Sequence, residues 1–371
     1  MKSTLKYVGL DVSKEKIAVA IADEGREKPR YWGMIPHTPE AIRKLVRKLG
    51  DIQLLRFCYE AGSTGYPLYR QFLAMGIHCD VIAPSLIPQK PGERIKTDKR
   101  DSIRLAQLYR AGELVSVYVP TPEDEALRDL VRAREDAKED ELRAKHHLTK
   151  FLLRNNIQPP HGINKWTKKY RAWLDALTFK NKLSTLTFQE YYHQLQELEQ
   201  RIKRFEEELK IQSTEGVHAP IIQVLQSLRG IALITAVSLA AEIGSFKRFP
   251  KPGQFMGYIG LIPSERSSGD VRYQGKITKT GNRHVRRLLI EAAWSYRYKP
   301  AIKGNLKKRL DGLPPEIRSI SWKAQNRLHK KYYRLLSRGK EKGKVVTAVA
   351  RELAGFIWAV MQEIEDIPQG K

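Results

Sequence analysis

The segments KYVGLD (residues 6–11) and KIAVAIA (residues 16–22) decide the fold class of this chain. Both are short runs rich in β-branched residues, and the polar turn between them predicts a β-hairpin. A third strand is expected at residues 30–35, and helices then alternate with the strand-like runs at residues 54–59 and 77–83. Three early strands followed by alternating helices and strands predict a mixed β-sheet covered by helices.

From about residue 121 the chain becomes charged and helix-forming, with a break at Pro159 and Pro160. After the break, apolar residues recur at alternating spacings of three and four, which predicts an a/d seam over three heptads. The residues of this seam are Phe188, Tyr191, Leu195, Leu198, Ile202, Phe205 and Leu209. The seam favours a helical hairpin within one chain and a coiled coil between two chains equally.

We therefore expect a chain of class α/β plus α in three parts. The first is an α/β domain at residues 1–120, the second a helical coiled-coil connector at residues 121–215, and the third a mostly helical domain at residues 216–371.

The charge of the chain points to a polyanionic partner. The 371 residues include 67 Lys or Arg against 41 Asp or Glu, a net charge of +26. Nucleic acid is the commonest partner for such a surplus, and an anionic membrane surface is the alternative. Only two cysteines, Cys58 and Cys79, are present, which excludes a disulfide framework and a cysteine-based zinc site. Because the first residues lack the apolar run of a signal peptide, we expect a cytoplasmic protein.

Four carboxylates form the first candidate site. Asp11 and Glu60 each end a predicted strand, whereas Asp98 and Asp101 lie three apart at the start of a predicted helix and share one face of it. Acidic side chains at the strand ends of one sheet converge on one edge, and hard oxygen ligands suit Mg²⁺ or Mn²⁺. Such a site could clamp the reacting oxygens of a phosphodiester. Each acid taken singly is better explained as a surface or capping group, and only the four together favour a metal site.

A serine-rich segment at residues 263–270 (PSERSSGD) forms the second candidate site, and Arg272, Lys276 and Lys279 follow it. A serine hydroxyl needs activation to attack phosphorus, and the developing charge needs cations, of which Arg266 is another. Without further context, Ser-Ser-Gly is an ordinary turn sequence.

The third candidate is a nucleic-acid surface near the end of the chain. Residues 303–344 hold 14 Lys or Arg against three acids, with aromatic residues between them. Phosphates could bind the cations while unpaired bases stack on the rings. The candidate residues are Arg283, Arg286, Arg287, Trp322, Lys330, Lys331, Tyr332 and Tyr333.

Four separated motifs together resemble the DEDD transposases of the IS110 family of bacterial insertion sequences. They are YVGLDVSKEK around Asp11, CYEAGSTGYPLYRQF around Glu60, KTDKRDSIRLA around Asp98 and Asp101, and a late block that includes QFMGYIGLIPSERSSGDVRYQGKITKTGNRHVRRLLIEAA. The motifs occur in the order of the family and cover both ends of the chain. The middle of the chain matches only as a helical connector.

The resemblance implies an N-terminal RuvC-like domain of the RNase H fold, whose four acids hold Mg²⁺, and a C-terminal transposase domain with a nucleophilic serine. The Pro-x-x-x-x-Ser-Gly pattern places that serine at Ser268, with Ser267 as the neighbouring alternative. The resemblance to the family also implies donor DNA, target DNA and a structured noncoding bridge RNA as partners. The subunits would form dimers that join into tetramers, in which the acids of one subunit meet the serine of another.

Our sequence-based hypothesis is an RNA-guided, site-specific DNA recombinase that passes through a covalent serine–DNA intermediate. One alternative is a metal-dependent, junction-resolving nuclease in which the serine segment is only structural. The other alternative is a non-catalytic nucleic-acid scaffold that uses the same basic surface.

Overall fold

The chain folds into two compact units, Met1–Pro120 and Thr121–Lys371. The computed structural model describes residues 4–89, 97–268 and 271–365. The second unit contains both the expected helical connector and the expected C-terminal domain.

Within the residues that the structure describes, the N-terminal unit is a five-stranded mixed sheet of order β3-β2-β1-β4-β5 with three α-helices. Strands β1, β2 and β3 pair antiparallel, whereas β4 runs parallel to both β1 and β5. The predicted mixed sheet is therefore confirmed, and it is compatible with an RNase H-like fold. The elements are β1 (Lys6–Val12), β2 (Lys16–Asp23), β3 (Arg30–Pro36), α1 (Pro39–Leu49), β4 (Leu55–Glu60), α2 (Pro67–Ala74), β5 (His78–Ile82) and α3 (Asp98–Arg110).

Helix α3 crosses β1 at Gly9. A Cβ atom built on Gly9 would overlap the backbone of Ser102 and Ala106 and touch the Cβ of Leu105. Only a residue without a side chain lets the helix approach this closely. Glycine at this position therefore sets how deeply α3, and the acids in its first turn, lie against the sheet.

Gly9→Ala should therefore destabilise the N-terminal unit. We expect the free energy of unfolding to fall by about 2 kcal/mol, since overpacking a tight contact costs about 1–3 kcal/mol. Urea unfolding followed by circular dichroism measures this loss. Gly62→Ala is the matched control in the same unit, because a Cβ there meets only the Glu60 carbonyl oxygen, at 3.9 Å. Equal stability of the two variants would contradict the close approach.

In its described residues, the second unit is helical apart from one hairpin. It begins with α4 (Pro122–Arg154), whose capping box joins Thr121 and Asp124. The remaining elements are α5 (Lys168–Asp175), α6 (Lys182–Glu215), α7 (Ala219–Leu225), α8 (Leu233–Ile243), α9 (Pro252–Tyr258), β6 (Pro263–Ser268), β7 (Val271–Ile277), α10 (Arg283–Ala293), α11 (Gly304–Leu310), α12 (Pro315–Ser337) and α13 (Lys342–Glu365).

Helices α4 and α6 pack on each other in opposite directions. The rings of Phe151 and Tyr191 lie 5.8 Å apart between centroids, and Arg134 pairs with Glu206 further along the two helices. The heptad seam of α6 thus packs within the chain. Its members Phe188, Leu195, Ile202 and Leu209 are buried, and the other three are partly buried.

Helix α13 lies in the core of the second unit. Within the described residues it is the one helix long and apolar enough to cross a membrane by length and composition, with a mean hydropathy of 1.3. Half of that apolar window is buried inside the protein, and Val345, Val349, Leu353 and Ile357 are fully buried in the main core cluster. This burial is typical of the core helix of a folded domain.

One segment of the second unit differs in part from the sequence-based expectation. The Gly- and Ser-rich composition of residues 255–268 predicts a loop with a short strand; the structure confirms the strand as β6 and shows the end of helix α9 in place of part of the loop. Gly257 lies inside α9, where the helix depends on the buried Phe255 and on Pro252 near its start. Tertiary burial therefore outweighs the low helix propensity of glycine.

Candidate functional site

Two of the predicted acids, Asp11 and Glu60, lie on the face of the N-terminal sheet that α3 covers, and the other two, Asp98 and Asp101, lie in the first turn of α3. A Cβ on Gly9 would point at α3, so Asp11, two residues further along β1, lies on the same face of the sheet. Cys58 is beside Gly9 in the parallel ladder, and its thiol lies 3.9 Å from the Leu105 carbonyl oxygen of α3. By the same alternation, Glu60 lies on the α3 face next to Asp11.

Helix α3 runs antiparallel to β1 and brings its first turn toward these acids. The rings of Tyr7 and Tyr109 pack edge to face with centroids 5.7 Å apart, so the start of β1 lies near the end of α3. Gly9 then meets the middle of α3. Continuing in the same direction, the end of β1 points toward the first turn of α3, which contains Asp98 and Asp101.

We call Asp11, Glu60, Asp98 and Asp101 the acidic face. Asp98 is exposed and the other three are half-buried. The capping role weighed for Asp98 belongs to Thr97, whose hydroxyl accepts from the Arg100 amide at 3.3 Å. Carboxylate oxygens are the donors that suit Mg²⁺ or Mn²⁺. In the part of the chain that the structure describes, however, no three His, Cys, Asp or Glu side chains are close enough to hold a metal ion.

The serine-rich segment forms an exposed hairpin rather than a loop. Strands β6 and β7 pair antiparallel, and Ser268 faces Val271 in the register. Gly269 and Asp270, which complete the Ser-Gly pattern, lie outside the described residues. The hairpin carries Arg266, Arg272 and Lys276 of the predicted cations, and Lys279 follows it directly; all four are exposed.

Ser267 and Ser268 lie on opposite faces of this hairpin. Ser267 donates to the Glu265 carboxylate at 2.9 Å, and Arg272 pairs with the same carboxylate at 2.8 Å. Hydrogen bonds from Arg272 and Ser267 hold the pKa of Glu265 below its usual value, which makes it a weak base. Ser268 lies on the other face together with Arg266. Their partners across the hairpin, Val271 and Tyr273, are exposed on that same face.

Arg286 fastens the base of the serine hairpin. Its guanidinium donates to the Ile259 carbonyl at 2.9 Å, before β6, and to the Thr280 carbonyl at 3.0 Å, after β7. Burial lowers the pKa of Arg286. The sequence predicted that Arg286 contacts nucleic acid, and the structure gives it these two backbone contacts, both through one guanidinium nitrogen. Gly281, at φ +69°, allows the turn, since a Cβ there would overlap the Tyr258 carbonyl oxygen.

Arg286→Ala should loosen the serine hairpin. Hydrogen bonds from a charged donor contribute about 1.5–3 kcal/mol each, so we expect trypsin to cut the hairpin at least about tenfold faster. Mass spectrometry of the peptides ending at Arg266, Arg272 and Lys276 measures this rate. Arg283→Ala, which removes an exposed arginine from the same helix, is the control. Equal cleavage rates in the two variants would show that Arg286 does not hold the base of the hairpin.

A buried ion pair holds the start of α10, a feature that the sequence analysis missed. Glu242 of α8 is 2% exposed, and Arg132 of α4 binds it through two hydrogen bonds of 2.7 and 3.1 Å. Asn282, the N-cap of α10, donates to the same carboxylate at 2.8 Å. Burial raises the pKa of Glu242, but these hydrogen bonds outweigh it and hold the pKa below its usual value. Gly281-Asn282 before a basic helix was the only sequence signal.

The remaining predicted nucleic-acid residues are paired, buried or exposed. Arg287 is half-exposed but pairs with Glu135 and, at 2.8 Å, with Glu291. Tyr332 is 4% exposed, which corrects the expectation that its ring stacks with a base. Arg283, Trp322, Lys330 and Tyr333 are exposed, although the Tyr333 hydroxyl donates to the Arg297 carbonyl at 3.1 Å. Lys331 is half-buried and pairs with Glu352 at 2.6 Å.

Comparison with known proteins identifies the family through matches at both ends of the chain. A family model described as "Transposase IS116/IS110/IS902 family" matches residues 222–305, and a DEDD transposase model of the IS110 type matches residues 8–157. The putative transposase y4qE of Sinorhizobium fredii is 44% identical over 359 residues, which is 96% of this chain and 88% of that protein. This chain belongs to the IS110/IS116/IS902 family of transposases.

Other relatives of this transposase carry the same description. The transposase for insertion sequence element IS1533 of Leptospira borgpetersenii is 33% identical over 341 residues, 90% of this chain and 98% of that protein. A probable family 20 transposase of Pseudomonas aeruginosa is 34% identical over 303 residues, 78% of this chain and 83% of that protein. The resemblance inferred from the four motifs is thus confirmed, and the protein is an insertion-sequence transposase that acts on DNA.

Proposed function

We propose that this transposase joins DNA strands through a covalent bond between Ser268 and a DNA phosphate. The Ser268 oxygen attacks the scissile phosphorus, the hydroxyl proton leaves, and one deoxyribose oxygen departs as a free hydroxyl. A hydroxyl of the partner strand then attacks the same phosphorus and releases the serine. The number of phosphoester bonds is conserved, so no nucleotide triphosphate is consumed.

The separation of the two serines on the hairpin carries this proposal. Ser267 is engaged with a carboxylate that Arg272 already pairs, whereas Ser268 shares its face with the Arg266 cation. A cation beside the nucleophile stabilises the negative charge that develops on the phosphate oxygens. Val271 and Tyr273 are 70% and 66% exposed, which supports this face as a contact surface.

The acidic face is the proposed metal site. Asp11, Glu60, Asp98 and Asp101 offer only hard oxygen donors from two adjacent strand ends and one helix start, which suits Mg²⁺ or Mn²⁺. A bound divalent cation would polarise the phosphate there. The acids themselves would orient it, and the positive end of the α3 dipole would offset part of their mutual repulsion.

We further propose that RuvC-like and transposase domains from different subunits complete the site, in a dimer that assembles into a tetramer. The division into residues 1–120, 121–215 and 216–371 is retained as part of this proposal. A structured noncoding bridge RNA would pair with donor and target DNA and so choose the sites. The net charge of +26 suits an assembly that neutralises several nucleic-acid strands.

The decisive experiment is a denaturing gel of purified transposase incubated with end-labelled donor and target DNA, Mg²⁺ and RNA transcribed from the sequences that flank the gene. We expect a slow-migrating protein–DNA band that protease removes, together with joined DNA product. Hydrolysed DNA ends without a covalent band would instead establish the metal-dependent nuclease. Product formation without any divalent metal would show that the reaction does not need a cation bound at the acidic face.

A further inference from the structure

A basic groove runs along the exposed side of helix α12, where it packs on α13. The groove encloses about 840 Å³. Its walls include Trp322, Lys323, Lys330 and Arg334 of α12, and Glu352 and Phe356 of α13. This volume lies within the range of ligand-binding clefts, and the serine hairpin contributes no residue to its lining.

The cations of the groove repeat once per helical turn. Lys323, Arg327, Lys330 and Arg334 are three or four residues apart, so they follow one stripe with steps of about 5 Å along the axis. A row of positive charges at this step matches a chain of phosphates better than a single anion.

Glu352 organises the floor of the groove. It pairs with Arg327 and, at 2.6 Å, with Lys331. Burial raises the pKa of Glu352, but hydrogen bonds from Lys331 and Arg327 outweigh it and hold the pKa below its usual value. The carboxylate therefore stays ionised and fixes two cations, which leaves Lys323, Lys330 and Arg334 to face a ligand.

Trp322 supplies an aromatic surface at one end of this stripe. The residue is 43% exposed, although α12 buries the opposite side of the helix through Ile317, Ala324 and Leu328. A large ring left in water beside several cations is the combination that binds unpaired nucleotides, because each base has a face that can stack.

We infer that this groove binds an unpaired stretch of nucleic acid, with a base stacked on Trp322 and phosphates on Lys323, Lys330 and Arg334. The inference deepens the proposed function and rests on it, since the strand would come from the DNA or RNA of that reaction. Double-stranded DNA fits less well. Its base faces are covered, and a helix that reads a major groove must protrude, whereas α12 forms one wall of a cleft.

The test compares binding of the full-length transposase to labelled oligo(dT), oligo(rU) and a blunt DNA duplex by fluorescence anisotropy. Trp322→Leu should weaken binding of a single strand about tenfold, as expected for one lost stacking contact, and leave duplex binding within about twofold. Trp322→Phe should restore most of the affinity, because a phenyl ring still stacks. The single strand that loses more affinity identifies DNA or RNA as the source.

Trp32→Ala is the matched control, since Trp32 is 37% exposed and lies in the N-terminal unit. Lys330→Ala should reduce the salt dependence of single-strand binding by about one ion, as for one lost phosphate contact. Equal losses for single strand and duplex in Trp322→Leu, or no loss in either, would overturn the inference. A wild-type protein that forms no covalent adduct, but whose single-strand binding needs Trp322, would refute only the proposed function.

Discussion

Ser268→Ala is expected to abolish the covalent protein–DNA adduct and to lower strand joining by about 1,000-fold or more, because no other group replaces a lost nucleophile. Binding of the DNA should stay within about threefold, since the substitution removes one hydroxyl from an exposed strand. The adduct is measured on a denaturing gel and its attachment site by mass spectrometry of the protease-resistant peptide.

Ser267→Ala is the matched control for this prediction. It removes the neighbouring hydroxyl on the other face of the hairpin, together with a hydrogen bond to Glu265. We expect the adduct to persist with a rate reduced by less than about tenfold, because an exposed hydrogen bond contributes about 1 kcal/mol. If instead Ser268→Ala keeps the adduct and Ser267→Ala loses it, Ser267 is the nucleophile and Glu265 its partner.

The adjacent serines show where sequence reasoning stops. The Ser-Ser-Gly pattern identifies the segment, but only the strand register separates the two hydroxyls by face. The run at residues 271–277 is typical of a strand by its own composition, whereas PSERSS has no apolar alternation that would give the bounds of β6. Its pairing partner, not its own composition, makes it a strand.

The N-terminal sheet was more predictable because its signals are local. Strand β2 has six consecutive buried residues, and its β-branched run is what a strand covered on both faces requires. The contacts made by Arg286 and Tyr332 were not predictable in this way. Arginine and tyrosine in a basic segment are expected at the surface. Only the tertiary fold shows that Arg286 binds backbone carbonyls and that Tyr332 is buried in the core.

The basic segment at residues 303–344 shows the same limit. Its charge count predicted nucleic-acid contact without ranking the residues. In the structure the helical period divides them, so that Ala324, Leu328 and Tyr332 enter the core while Trp322 and Lys330 line an open groove. Composition therefore predicted a nucleic-acid surface in this segment. Only the orientation of α12 in the fold shows which of its side chains are exposed in the groove.

Asp11→Asn is expected to eliminate strand joining to the same degree as loss of the serine, by about 1,000-fold or more, if the acidic face holds the divalent cation. The amide retains the size of the carboxylate but loses its charge, so affinity for Mg²⁺ should fall while the sheet remains folded. Adduct formation measures the activity, thermal unfolding measures the fold, and titration with Mn²⁺ followed by electron paramagnetic resonance measures metal binding.

Glu60→Gln should behave like Asp11→Asn, because the two residues end neighbouring parallel strands on the same face of the sheet. Glu40→Gln is the control, since it neutralises an exposed acid of the same unit that pairs with Arg43 on α1. Chelation of divalent ions should reproduce the loss in the wild type, and added Mn²⁺ should reverse it. If Asp11→Asn binds Mn²⁺ as the wild type does and still forms the adduct, the acids are surface groups, and the catalytic cation must lie elsewhere or play no part.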